Sequence, residues 1–349
     1  MNQAITLGDQ AAVGDRDCLA LWLSSDLTLG VGPHGVPAPE PGEVRVAVRW
    51  AGVCDSDLGV FRTGEGVREL PAVLGHEVYG DIDAVGAGVR MAVGTPVVLD
   101  SRIPCLDCDA CRKDPNTCAN LSFLGEARPG GFAVYCNVPA WVVHPVPEDL
   151  DGSVAVLAVP LSVALHALSH VESPPRRAAI IGHGPIGALV HIELRQAGCA
   201  VDVAEPAPIR AALAEGLQAV VVERSDLLTS GGYDLVVDAA GAHGSLRDAI
   251  AAAAVGATIL VVASHTRPVE VVPTQIADKR LRIVGINAFV DELPEAIARL
   301  AAVPRRYRSV VTDSVGIDRL PARLARLLDT ADAVKLLVYM GGFGAQQLV

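Results

Sequence analysis

Four cysteines crowd into one short loop, Cys105-x2-Cys108-x2-Cys111-x6-Cys118. Four thiolates can close a tetrahedral shell around zinc, and a shell with no open position is structural. Such a site contributes on the order of 10 kcal/mol to ordering its lobe. The competing readings are an iron–sulfur cluster or unrelated thiols, and nothing else in the sequence points to electron transfer. The remaining cysteines, Cys18, Cys54, Cys136 and Cys199, are scattered, and a buried inert thiol is the default for each. In an intracellular chain, eight cysteines argue for metal or reactive thiols over a disulfide framework.

A second motif, Gly182-His183-Gly184-Pro185-Ile186-Gly187, matches G-x-G-x-x-G directly after the apolar run AAII and opens a helical pattern. Glycines let the backbone turn tightly against a pyrophosphate, which then rests on the helix N-terminus. Glu205 closes the next apolar run, 18 residues after Gly187. An acid there accepts hydrogen bonds from a ribose diol and repels a 2′-phosphate, which favours NAD over NADP. Arg210 lies close by in sequence and could instead accept that phosphate, and His183 reads as a tolerated filler. The alternative is a glycine-rich turn with no nucleotide.

Two shorter pieces precede the cysteine loop, GVCDSD (52–57) and LGHE (74–77). Cys54 and His76 are good zinc donors and Glu77 adds a carboxylate, but a lone thiol and a lone imidazole at long spacing are weak signals alone.

These residues need elements to hold them. Residues 43–53 (EVRVAVRWAGV) and 77–89 (EVYGDIDAVGAGV) alternate like half-buried strands bent at glycines, so the first third reads as an irregular antiparallel β domain. From about residue 165, apolar runs at 178–181, 200–205, 234–241, 257–264 and 282–286 alternate with helical segments, the pattern of a parallel, doubly wound βα sheet. The last forty residues hold a helix (322–328) and a strand (334–340) that return to the first domain. This predicts an α/β protein divided at 1–165, 166–310 and 311–349. In LAVPLSVALH (157–166), Pro160 suits a helix N-terminal position and Ser162 a cap, and no side chain can bind a metal before His166.

Composition narrows the class. Lys+Arg is 28 against Asp+Glu 40, a net −12, which opposes nucleic acid or an anionic membrane as partner. Only three lysines occur, Lys113, Lys279 and Lys335. No uncharged run of 18 or more apolar residues stands out, so a membrane span is not expected. Residues 1–16 lack the basic start and apolar core of a secretory signal; they read as a loose extension of a cytoplasmic protein.

In this order, PEPGEVRVAV, GVCDSDL, LGHE, the cysteine loop, GGFAVY, PLSVALHAL, GHGPIG and VKLLV resemble the zinc-dependent medium-chain alcohol and polyol dehydrogenases along nearly the whole chain. The resemblance implies a GroES-like β domain interrupted by a Rossmann domain. It implies Cys54 and His76 as catalytic zinc ligands, Glu77 as an exchanging or outer ligand, Ser56 as a proton relay and Asp57 as a hydrogen-bond partner of the His76 ring. Lys335 falls near where the family contacts the cofactor, although such a lysine can also snorkel to solvent. PLSVALHAL is closer to the polyol branch, implying a secondary alcohol on a polyol, sugar or cyclitol. By analogy the partners are that small molecule and further copies of the chain, as dimer or tetramer.

Three departures qualify the resemblance. The cysteine loop is one residue short between its third and fourth ligands, and Asp55 replaces the usual glycine after the catalytic cysteine. Polyol dehydrogenases carry a glutamate before PLSV as third zinc ligand, and here that position is Val159. Catalytic zinc normally takes three protein ligands. Either Glu77 binds directly, or Asp55 or water fills the gap. Otherwise the chain is a zinc-free NAD(P)-dependent reductase, or binds a dinucleotide without turnover.

Overall fold

A computed structural model describes residues 16–341; the N-terminal extension and the last eight residues lie outside it. The alternation in Glu43–Gly52 buries Val44, Val46 and Val48, and this strand becomes the spine of a seven-stranded sheet. Glu77–Val85 pairs antiparallel along one side of it and Lys335–Tyr339 along the other, with Tyr135–Pro139 joining at its N-terminal half. Val311–Gly316 extends that sheet by pairing parallel with Lys335–Tyr339. A three-stranded sheet, Arg16–Leu23 with Leu29–Val36 and Ala72–Val73, packs beside it. This irregular antiparallel lobe is the one expected of the first third.

The second lobe is a six-stranded parallel sheet. Its order is Val220–Val221, Ala200–Ala204, Arg177–Ile181, Tyr233–Asp238, Ala253–Val261, Arg282–Gly285. Winding runs outward from Arg177–Ile181 in both directions, so the strand order reverses there, and a crevice opens at the carboxyl ends of the strands. Near-continuous apolar runs such as Ile180–Ile181 and Leu235–Val237 are buried because helices cover both faces.

The boundary expected at residue 165 falls inside the helix Ala158–Ser169, whose apolar residues share one core with Ile180, Leu189 and Leu235. Pro160 lies in its first turn as expected. Ser162 does not cap it: the hydroxyl sits within the helix and donates to the Ala158 carbonyl at 2.7 Å. One apolar stretch stands out against the expectation that no 18-residue apolar run occurs. Gly152–Ser169 is long and apolar enough to cross a membrane, yet 67% of it is buried inside the molecule. Its apolarity serves the core.

Candidate active site and dinucleotide cleft

The cysteine loop brings its four sulfurs together. Sγ–Sγ separations run from 3.4 Å (Cys108–Cys111) through 3.5 Å (Cys105–Cys118) and 3.7 Å (Cys105–Cys111) to 4.0 Å (Cys108–Cys118). A tetrahedral shell with bonds of about 2.3 Å requires sulfurs about 3.8 Å apart, so the four fit one zinc. They are far outside the ~2 Å of a disulfide. The backbone N–H groups of Cys111 and Asn120 point at the sulfurs of Cys108 and Cys118, an arrangement that favours thiolates.

From this loop region two side chains reach the other lobe. Asn116 Nδ2 donates to the Phe289 carbonyl at 2.7 Å, and Arg102, paired with Asp100, donates to the same carbonyl and to that of Val290. The Arg102 guanidinium also lies 4.0 Å from the centroid of the Phe289 ring.

The second cluster is assembled at the start of the helix Asp55–Thr63. Cys54 is its N-cap, and the Cys54 N–H donates to Asp57 Oδ2 at 2.9 Å. Asp57 Oδ1 lies 3.5 Å from His76 Nδ1, so one buried carboxylate orients both the thiol's turn and the imidazole. Glu77 opens the neighbouring strand opposite Gly52. One donor atom each from Cys54, His76 and Glu77 lies within 4.8 Å of the others, a set suited to zinc with one position left open. Burial disfavours the charged His76 ring, but Asp57 outweighs it and holds the ring's pKa well above the ordinary value. A metal binding there must displace that proton.

Lys335 does not reach solvent. Its side chain is fully buried, ion-paired with Glu77, and donates to the Val53 carbonyl at 2.8 Å. Burial alone would depress its pKa; Glu77, with Cys54 and Asp57 behind it, reverses the balance and raises it. Gly52 makes the room: a Cβ there would lie 2.0 Å from Glu77 Oε2 and 2.9 Å from Lys335 Cε. In the folded chain this lysine braces a candidate metal ligand. Val159 is packed into the core of the parallel-sheet lobe and offers no donor. Asp55 is outside the donor set as well. Its carboxylate faces the glycine turn, 4.0 Å from where a Cβ on Gly184 would stand. Ser56, the next residue, is exposed at the helix start.

At the glycine turn, Gly182 has φ +90°, and a Cβ on Gly187 would lie 2.2 Å from the Gly182 carbonyl oxygen, so neither position tolerates a side chain. Gly184 differs. A Cβ there would meet nothing nearer than 3.6 Å, which leaves the backbone open toward the crevice as a diphosphate needs. Pro185 begins the helix Pro185–Gln196 and lines a cleft of about 320 Å³ between the lobes, together with Val53, Asp55, Arg62 and Arg210. Ile186 packs against the core beneath. Glu205 accepts from the N–H groups of His183 and Ala207, both at 2.8 Å, which fixes its carboxylate at the end of the second strand.

Arg210 is turned toward the C-terminal segment and the glycine turn: its Nε donates to the Ala333 carbonyl at 3.0 Å, and Nη1 stands 3.6 Å from where a Cβ on Gly184 would lie. His183 is no filler. Its Nδ1 lies 3.1 Å from the Arg210 carbonyl, so that nitrogen carries the proton, and Nε2 lies 3.0 Å from His191 Nδ1. The pair ties the glycine turn to the helix that carries Arg210.

Two further acids escaped the sequence reading because nothing in their local pattern marks them. Asp238, fully buried at the end of Tyr233–Asp238, bonds Ser245 (2.8 Å) and His265 (2.9 Å) at the carboxyl edge of the parallel sheet. Glu126 lies beside His76.

Known proteins share this architecture. The alcohol dehydrogenase GroES-like domain family matches residues 40–148. D-altritol 5-dehydrogenase of Agrobacterium fabrum is 32% identical over 74% of this chain and 81% of its own length. The starvation-sensing protein RspB of Escherichia coli K12 is 30% identical over 77% and 83%. The chain belongs to the zinc-type medium-chain dehydrogenase/reductase family. A solved alcohol dehydrogenase of the family, rspB of E. coli CFT073 complexed with NADH, superposes with a TM-score of 0.85 at 28% identity, covering 93% of this chain and 99% of that one. As a medium-chain dehydrogenase/reductase the chain is an alcohol dehydrogenase, an oxidoreductase that acts on a CH–OH group of a small molecule with a nicotinamide nucleotide.

Proposed function

We propose that this enzyme is a zinc-dependent, NAD-linked dehydrogenase of secondary alcohols on polyols, sugars or cyclitols. The observation that carries the proposal is the convergence of Cys54, His76 and Glu77 within 4.8 Å at the start of the Asp55–Thr63 helix. Glu77 takes the place in the donor set that Val159 cannot fill. When bound, zinc supplies Lewis acidity at the alcohol oxygen and the dinucleotide accepts the hydride. The chain's own residues do the rest. Asp57 fixes the His76 ring, Lys335 fixes the Glu77 carboxylate, and Ser56, exposed at the helix start, carries the alcohol proton outward. Gly184 and Arg210 receive the diphosphate, and Glu205 selects the ribose diol over its 2′-phosphate.

The edge strand Arg282–Gly285 exposes Arg282, Ile283 and Gly285, which supports self-association at that edge into a dimer or tetramer. All eight cysteines are free, which supports a reducing, cytoplasmic setting.

Metal content per chain, measured on the purified protein and on Cys54→Ala, tests the core of the proposal. About two zincs falling to one support it. About one zinc in both proteins would mean that only the cysteine loop is filled. The zinc-free reductase or the non-catalytic dinucleotide binder, readings favoured by Val159, would then take its place.

A further inference from the structure

Beside His76 the chain builds a pocket of about 20 Å³, walled by Val60, Leu74 and Leu124 and reached by three polar side chains, Ser56, His76 and Glu126. A space of that size holds about one water-sized group. Asp57 also borders it, but both its oxygens are engaged by Cys54 and His76. Glu126 is different. Its Oε2 accepts from the Phe123 N–H at 3.2 Å, and no partner engages Oε1 among the described residues.

The turn that carries Glu126 is rigid. The Glu126 N–H donates to the Phe123 carbonyl at 3.0 Å, and the Arg68 N–H donates to the Glu126 carbonyl at 3.1 Å. Gly125 has φ +87°, and a Cβ there would lie 3.1 Å from the backbone of Leu74 and Gly75, the residues just before His76. These backbone contacts place the turn that carries Glu126 against the segment that leads into His76, and the Phe123 N–H steadies one carboxyl oxygen. Burial raises its pKa, with the Phe123 N–H and His76 opposing and Asp57 adding to the rise. With Oε2 occupied, Oε1 is the oxygen left to accept a hydrogen bond from a hydroxyl entering the pocket.

We propose that Glu126 is a specificity-determining residue: its carboxyl group closes a one-hydroxyl pocket beside His76 and Ser56 and binds a second hydroxyl of the substrate, adjacent to the carbon that is oxidised. The inference rests on the dehydrogenase function proposed above and narrows its substrate class to vicinal diols. A pocket built to bond a hydroxyl discriminates strongly against the analogue that lacks one, because its polar group is then left unpaired.

The test compares 2,3-butanediol with 2-butanol, which differ by that hydroxyl, on the zinc-loaded wild type, Glu126→Ala and Glu126→Gln, following NADH formation. The wild type should favour the diol by at least tenfold in kcat/KM. Glu126→Ala should lose at least tenfold on the diol and stay within about twofold on 2-butanol. Glu126→Gln, whose amide oxygen also accepts, should recover most of the loss. Equal losses on both alcohols in either variant, or a wild type without diol preference, would overturn the proposal while leaving the dehydrogenase function in place. Absence of NAD reduction by the wild type with either alcohol and with a panel of polyols and cyclitols would defeat that function itself, and this inference with it.

Discussion

Lys335 is a charge sealed in the core beside a candidate metal ligand, and replacing it by methionine makes a sharp test of the site. The ammonium is wholly buried between Glu77, itself 2% exposed, and the Val53 carbonyl. Methionine fills similar space but leaves the carboxylate facing an apolar neighbour. Removing one partner of a buried pair costs about 3–5 kcal/mol, because the remaining charge is stranded without water. Replacing both partners costs far less, so Lys335→Met/Glu77→Gln should recover more than half of the loss. The strand Lys335–Tyr339 pairs with Glu43–Gly52, and the Trp50 and Tyr339 rings lie 4.9 Å apart across that seam. All three tryptophans, Trp22, Trp50 and Trp141, belong to the antiparallel lobe, so their fluorescence in a urea titration reads the lobe where the pair sits. Zinc should return part of the single variant's stability by giving Glu77 a new cation. A Lys335→Met protein within about 1 kcal/mol of wild type, or a double variant no better than the single one, would refute the reasoning.

Three further outcomes follow from the same geometry. Asp55 places a negative charge about 4 Å from the open face of Gly184; even with water-like screening this repels a phosphate by about 1 kcal/mol. Asp55→Asn should therefore bind NADH about fivefold more tightly in a fluorescence titration at low ionic strength, and unchanged or weaker binding would contradict it. Asp57→Asn, which loosens the His76 ring, should lower zinc affinity at the Cys54 site 10- to 100-fold in chelator competition and leave the cysteine loop filled. Burial holds His183 down at about 4 and His191, with His183 and Arg195 adding to the effect, at about 3. The unfolded chain takes up those protons near the ordinary 6.5, so stability is full above that value and drains away as pH falls from 6.5 toward 4 for His183 and toward 3 for His191. His191→Leu should flatten that slope in unfolding midpoints measured across the range, and an unchanged slope would exclude the pair as its source.

Much of this was legible in the chain because the signals were local. The cysteine loop needs only its own spacing, and the parallel strands announce themselves as short apolar runs between helical segments, so that 200–205 and 282–286 emerge as Ala200–Ala204 and Arg282–Gly285. What stayed hidden depends on contacts between distant segments. Lys335 looks like a lone cation in an apolar strand until that strand pairs beside Gly52 and meets Glu77. Arg210 is near Glu205 in sequence, but its side chain is drawn the other way by the Ala333 carbonyl, 123 residues on. Glu126 is an ordinary loop acid until the turn at Gly125 packs against Leu74 and Gly75 and brings it to the pocket beside His76. Ser162 misleads because a serine near a helix start suits a cap, whereas here the helix begins earlier, at Ala158.

The two lobes are fastened across their cleft by chemically unlike ties. On one side Arg210 grips the Ala333 carbonyl, a link made wholly within the folded chain. On the other, Asn116 and Arg102 hold the Phe289 carbonyl, and Asn116 lies between the third and fourth cysteines of the metal loop. A metal in the loop would steady Asn116 and with it the second tie, and leave the first untouched. A zinc in the loop and a dinucleotide in the cleft would then be linked, and linkage is reciprocal: a chain holding its dinucleotide would give up such a zinc less readily than one that does not.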